Sequence, residues 1–227
     1  MSKREVVVLS GVRTAIADFG GTLKDQPATE LAAKVVAEAV NRSGLLPEDI
    51  GHCVIGSVLH GDRRDMYISR VAALKAGLPV ETPSLTVNRL CGSGLQALVS
   101  AAQMILLDDC DVAVAGGSES MSRAPYWLPS ARFGANMGDG SMVDSLTGVL
   151  TCPIGDVHMG VTAENVADQF NISREEQDEL ANQSHQRAQR AIEENRFDGQ
   201  ILPIELAKVS PFLSKMSMFL LIVILKV

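Results

Sequence analysis

Aromatic residues are scarce. One Trp, two Tyr and six Phe make up 4% of the 227 residues. That argues against an aromatic-rich sandwich, and abundant Gly, Ala and Val suit tightly packed α/β layers instead. Basic residues are in the minority, 20 Lys and Arg against 27 Asp and Glu, for a net charge of -7. Such a balance argues against nonspecific nucleic-acid binding as the main task. Only four cysteines occur (Cys53, Cys91, Cys110, Cys152), and no two form a Cys-x-x-Cys pair. A zinc site and a disulfide framework are therefore not expected, and a reducing cytoplasm is the default. No membrane-length run exists either. The longest apolar stretch, Met218 to Leu225, has eight residues, where a span takes about 20. The opening Met1-Ser2-Lys3-Arg4 precedes an apolar run too brief for a secretory h-region. Asn-x-Ser triplets at Asn41, Asn171 and Asn182 are accordingly read as chance.

What is present is an alternation. Glu5–Leu9 reads as a buried strand, and Pro27–Ser43 as an amphipathic helix with Leu31, Ala32, Val35, Val36, Ala39 and Val40 on one face. Pro27 near its start and Gly44 past its end fit helix punctuation. His52–Val58, Ser84–Leu90 and Asp111–Ala115 read as further strands. A short helix, Tyr67–Ala76, precedes Gly77. Leu95–Leu107 is apolar nearly all round, which predicts a helix covered on every side. This order predicts a layered α/β fold with strands covered on both faces. From Ser118 to Gly155 the texture turns to Gly, Ser, Met and Pro, about 40 residues that suggest function. Val161–Phe170 and Ser173–Arg196 return to helix, the latter opening with a Ser173/Glu176 capping box.

The sharpest chemical feature is Asn88-Arg89-Leu90-Cys91-Gly92-Ser93-Gly94. It places a cysteine at a strand end and a helix N-terminus, where free N–H groups favour a thiolate and can hold an oxyanion. The same pattern also fits a structural cysteine beside turn-forming glycines. Cys53 and Cys110 read as core residues, and Cys152 carries no assignment. His158, just before a helix, could contact a ligand or cap that helix, and spacing favours the cap. Gly116-Gly117-Ser118-Glu119 fits neither a dinucleotide fingerprint nor a P-loop, and reads as a tight turn against the Cys91 helix.

Taken together, Asn88–Gly94, Gly116-Gly117-Ser118-Glu119-Ser120-Met121-Ser122, and His158-Met159-Gly160 with Thr162-Ala163-Glu164-Asn165 resemble the thiolases. The chain is most similar to the acetyl-CoA acetyltransferases (β-ketothiolases) among them. Gly11-Val12-Arg13-Thr14 and Arg174-Glu175-Glu176-Gln177-Asp178 fit as well, and the resemblance runs from about Arg4 to about Glu205.

The resemblance implies a layered thiolase-like α/β fold: an N-terminal βαβαβαββ half plus part of an inserted loop domain. Residues 1–117 are then the nucleophile-bearing half, 118–209 a partial loop domain covering the coenzyme A and acyl pocket, and 210–227 an aberrant apolar tail. Cys91 is implied as the nucleophile that takes an acyl group as a thioester. A second acyl-CoA attacks it in a Claisen condensation, and thiolysis is the reverse. His158, Met159 and, more loosely, Leu150 match positions lining the acyl and pantetheine pocket. Coenzyme A and acyl-CoA enter as substrates, with no covalent cofactor, no metal, no nucleic acid and no membrane partner. A cytoplasmic homodimer or tetramer is implied, with Ser84–Leu90 at the dimer interface.

The sequence also departs from the family. Thiolases carry an Asn-Glu-Ala-Phe stretch, a Gly-His-Pro histidine and a Cys-x-Gly-Gly-Gly cysteine, and none of the three occurs here. A truncated chain with weak or no activity is therefore expected, and a bare apolar face with it. The alternative is a non-catalytic half-thiolase that binds coenzyme A or docks on a full-length subunit. A β-ketoacyl synthase shares the nucleophile, but the His158 and Gly116–Ser122 stretches favour thiolase. A cysteine protease stands further off, without a supporting histidine or amide pattern.

Overall fold

The computed structural model describes residues 5–134, 136–206 and 222–226. In chain order these form β1 (Val7–Thr14), α1 (Ala28–Ser43), β2 (His52–Gly56), α2 (Ile68–Lys75), β3 (Ser84–Val87), α3 (Ser93–Leu106) and β4 (Val112–Gly117). There follow β5 (Tyr126–Trp127), β6 (Val143–Asp144), α4 (Ser145–Val149), β7 (Thr151–Cys152), β8 (Val157–His158), α5 (Met159–Phe170) and α6 (Arg174–Glu193). The last strands are β9 (Ile201–Leu202) and β10 (Ile222–Lys226). Two compact units divide the chain. The first joins the residues up to Ala124 with those from Gln200 on, and the second is Pro125–Gly199.

In the first unit six strands form one mixed sheet, in the order β3-β2-β4-β10-β1-β9. β2 runs parallel to β3 and β4, whereas β10 is antiparallel to both its neighbours, β4 and β1. Side chains alternate between faces, as period-2 strands require. Cys53, Ile55, Val112, Val114, Ile222 and Ile224 join α1 and α2 in one core. Val54, Ala113, Ala115, Val223 and Leu225 join α3 in the other. The expected α/β layering is thus present, with parallel strands sandwiched between helices. Gly44 ends α1 at φ 74, a left-handed C-cap that glycine adopts without strain.

Three features differ from the sequence expectation. α3 is not covered on every side. Ala97, Ala101 and Ile105 are buried against the sheet, but Leu95 (69% exposed), Val99 (43%) and Leu106 (48%) form an open stripe on the opposite side. The helix has two apolar faces, and the sheet covers one. In β1 the start is open as well. Val8 is 65% exposed, while Val12 is fully buried where α1 packs over the strand. Finally, Ile222–Leu225, read from the sequence as part of an aberrant tail, is buried between β1 and β4. The run is apolar on both faces, which is what the middle of a doubly covered sheet accepts. Each such side chain contributes roughly 1.5–3 kcal/mol on burial. The remainder of that tail, 210–221 and 227, lies outside the described residues.

The second unit consists of two short hairpins, β5–β6 and β7–β8, with α4, α5 and α6. None of the residues of α5 or α6 is buried. Local bonds hold these helices. The Ser173 hydroxyl accepts from the Glu176 N–H at 3.1 Å and the Glu176 carboxylate accepts from the Ser173 N–H at 2.8 Å, completing the expected capping box. Arg174 pairs with Asp178 one turn on, at 2.8 Å.

Candidate active site

At the carboxyl end of β3 the chain makes a tight turn, Asn88–Gly92, and enters α3. The turn is closed by side chains from both of its ends. The Asn88 Oδ1 accepts from the Leu90 N–H at 2.9 Å. The Ser93 hydroxyl accepts from the Arg89 N–H at 2.9 Å and donates to the Leu90 carbonyl at 2.6 Å. Backbone bonds from Gly92 to the Arg89 carbonyl and from Ser93 to the Leu90 carbonyl, each 3.0 Å, complete it. Leu90 is thereby held at φ 46, in the left-handed region. For a residue with a bulky side chain that conformation costs of order 1–2 kcal/mol. Immediately after it, Cys91 is an exposed free thiol, one residue before the Gly92 N-cap of α3. No side chain caps this helix start; with the Gly92 and Ser93 N–H groups spent inside the turn, those of Gly94 and Leu95 are the ones left to face an anion.

Glycines set the height of the helix above the sheet. A Cβ on Gly56, the last residue of β2, would lie 2.4 Å from the Ser93 carbonyl carbon and oxygen. A Cβ on Gly117, the last residue of β4, would lie 3.1 Å from the Gly94 Cα. The turn after β4 therefore sits against the start of α3, as the Gly116-Gly117 motif suggested. Ser118 locks this contact, its N–H donating to the Gly56 carbonyl at 3.0 Å and its hydroxyl to the Ala28 carbonyl at 2.7 Å.

Glu119 is the functional-edge residue whose partners sequence reasoning missed. Its carboxylate accepts from the Val58 N–H at 2.8 Å, the Leu59 N–H at 3.0 Å and the Ser57 hydroxyl at 3.4 Å. Burial pushes its carboxyl above the usual carboxylate range, against the lowering effect of those bonds. It ties the loop after β2 to the loop after β4, on either side of β2's end. The only signal was an acidic residue in a small-residue turn directly after an apolar strand.

The other thiols differ from Cys91. Cys53 is fully buried and its thiol is pushed up to about 12 by desolvation. Burial, and then Asp109 and Asp111, raise Cys110. Both agree with core roles. In the second unit, the backbone N–H groups of Gly155 and Ile154 hold Cys152 below the ordinary thiol range.

The three residues expected to line the substrate pocket lie in that second unit, on one hairpin. Leu150 precedes β7, and its carbonyl accepts from the Met159 N–H at 2.8 Å. Thr151 pairs with His158 across the strands. His158 is exposed and caps α5, its Nδ1 accepting from the Gly160 N–H at 3.0 Å, the role that spacing favoured. Met159 is 39% exposed. The Thr162 hydroxyl donates to its carbonyl at 2.6 Å. The structure thus brings Leu150, His158 and Met159 together, in a unit separate from that of Cys91. Among the described residues no group of three or more His, Cys, Asp or Glu side chains is placed to hold a metal.

The model of the thiolase N-terminal domain matches residues 6–217. The chain belongs to the thiolase family. Beta-ketothiolase BktB of Cupriavidus necator is 58% identical over 201 residues, covering 88% of this chain and 51% of that protein. An acetyl-CoA acetyltransferase of Chromobacterium violaceum is 45% identical over 201 residues, with the same coverage of 88% and 51%. Human mitochondrial 3-ketoacyl-CoA thiolase, solved in complex with CoA, superposes with a TM-score of 0.90 at 34% identity, over 97% of this chain and 64% of that one. The Bacillus anthracis acetyl-CoA acetyltransferase gives 0.88 at 35% identity, over 97% and 65%. This thiolase-family chain therefore spans about half the length of the curated relatives it matches.

Proposed function

We propose that this chain carries the nucleophilic part of a thiolase-type acyl-CoA C-acyltransferase, with Cys91 as the nucleophile. The observation that supports this most directly is the exposed Cys91 thiol at the uncapped start of α3. In the proposed reaction the Cys91 thiolate attacks the acyl carbon of an acyl-CoA. A C–S bond forms to Cys91, the bond to coenzyme A breaks, and coenzyme A leaves as a thiolate that takes up a proton. The α-carbanion of a second acyl-CoA, formed by loss of its α-proton to a base, then attacks the thioester, giving a 3-ketoacyl-CoA and returning the Cys91 thiolate. Thiolysis reverses both steps. The N–H groups in the first turn of α3 that the Cys91 turn leaves unused, those of Gly94 and Leu95, are suited to the negative oxygen formed in each attack. Leu150, His158 and Met159 are proposed to line the path of the pantetheine arm and acyl group. No covalent cofactor is invoked. A cytoplasmic homodimer or tetramer is the assembly proposed for the intact family member.

Two acid–base groups of the family, the Gly-His-Pro histidine and the Cys-x-Gly-Gly-Gly cysteine, have no match in these 227 residues. Each such group contributes roughly 10²–10⁴-fold, so the chain alone is expected to thiolyse acetoacetyl-CoA barely above background. Turnover equal to that of a whole thiolase would mean that those groups are dispensable or come from another chain. Cys91 itself is tested by alkylation. It is expected to label ahead of Cys53 and Cys110 and to be protected by acetyl-CoA. Preferential labelling of Cys53 or Cys110 would overturn the assignment.

A second reading is supported by the open α3 stripe of Leu95, Val99 and Leu106. In it, the chain is a non-catalytic partner that docks on a full-length thiolase subunit. Co-elution of the two on size exclusion separates this reading from the first.

A further inference from the structure

We infer that Ser93 and Asn88 are positioning residues for Cys91, acting through the strained turn that presents the thiol. This rests on the reading of Cys91 as the nucleophile. Leu90 at φ 46 does not hold itself there, because an unsupported leucine relaxes to negative φ. Three backbone groups at and beside it are tied to the two side chains. Asn88 accepts the Leu90 N–H at 2.9 Å. Ser93 receives the Arg89 N–H at 2.9 Å and gives its own proton to the Leu90 carbonyl at 2.6 Å. The serine hydroxyl thus both accepts and donates within the turn, and at 5% exposure it is shielded from water. Ser93 is also the residue whose carbonyl meets Gly56, so its backbone is fixed by the sheet. Anchored there, its hydroxyl transmits the position of the sheet to the residue before Cys91. Release of these bonds lets Leu90 relax and moves the sulfur relative to the N-terminal end of α3. The favourable field of a helix end fades within its first turn, so a small swing suffices to lower reactivity.

The test uses the full 227-residue chain and reads the rate of iodoacetamide labelling at Cys91 by peptide mass spectrometry at one pH. Asn88→Ala and Ser93→Ala are each expected to slow Cys91 about twofold to fivefold and leave Cys152 unchanged. Asn88→Ser and Ser93→Thr keep an acceptor oxygen and, for Thr, the donor, and are expected to restore most of the rate. Asn88 is exposed, so its variants keep the fold even where Ser93→Ala loosens it, as thermal melting will report. Wild-type labelling rates in both alanine variants would overturn the inference. So would serine and threonine variants as slow as the alanine ones, which would point to packing rather than to these hydrogen bonds. If Cys91 of the unaltered chain reacts no faster than Cys110, the nucleophile reading itself fails, a result distinct from either of the others.

Discussion

The two units of this chain are stabilised in opposite ways. The first has a double core, with α1 and α2 on one face of the sheet and α3 on the other, and strands whose side chains are buried on both faces. In the second, Ser145 alone is buried among the described residues, and the helices rest on caps and neighbouring charge pairs. Cys91 stands on the first kind of structure, and Leu150, His158 and Met159 on the second. A nucleophile gains from rigid placement, since small misplacements are costly in rate. In the role proposed for the second unit, a surface for a long, flexible substrate arm gains from elements that open at low cost.

The comparison breaks or sharpens with substitutions in each unit. The largest effect is expected for Ile224→Ala, which empties a fully buried site in β10. A loss of about 2–5 kcal/mol in global stability should appear in chemical denaturation. No loss would mean that β10 does not contribute to the first unit in solution. Next comes Glu119→Gln. Its amide places an N–H against one of the Val58 and Leu59 N–H groups, so about 1–3 kcal/mol should be lost. The unaltered carboxyl has a raised value in the folded state, so folded protein binds more protons than unfolded protein between the ordinary and the raised value. Its contribution therefore falls as pH rises through that window. The slope should vanish in Glu119→Gln, as followed by melting at stepped pH. The smallest effect is expected for Ser173→Ala, about 1 kcal/mol through the lost cap. If the second unit is only locally stable, hydrogen exchange should quicken in α6 while the first unit's denaturation midpoint stays fixed. A shift of both together would show that the two units unfold as one.

Several elements of both units were legible in the sequence because their signals were local. The stripe from Leu31 to Val40 with Gly44 behind it defines α1, and Ser173 with Glu176 marks the start of α6. The position of Cys91 at the start of α3 followed from a strand pattern running into Cys-Gly-Ser-Gly. What was not legible depends on distant partners. The apolar run at Ile222–Leu225 carries no sign that β1 and β4 leave room for it. Leu95 and Ala97 are both apolar, and only the sheet decides that Ala97 is covered and Leu95 open. Glu119 looks like any acidic turn residue until the amides of Val58 and Leu59 arrive from another strand end.

The contact of α3 with the strand ends has a mechanical consequence. Gly56 meets Ser93, and Gly117 meets Gly94, main chain against main chain. A side-chain contact can switch between staggered wells and carry its neighbour along. Peptide planes and Cα carbons have no such wells to hop between. The foundation under α3 therefore has a single setting, and what movement remains to the Cys91 sulfur lies in the turn before the helix and in the thiol's own χ1.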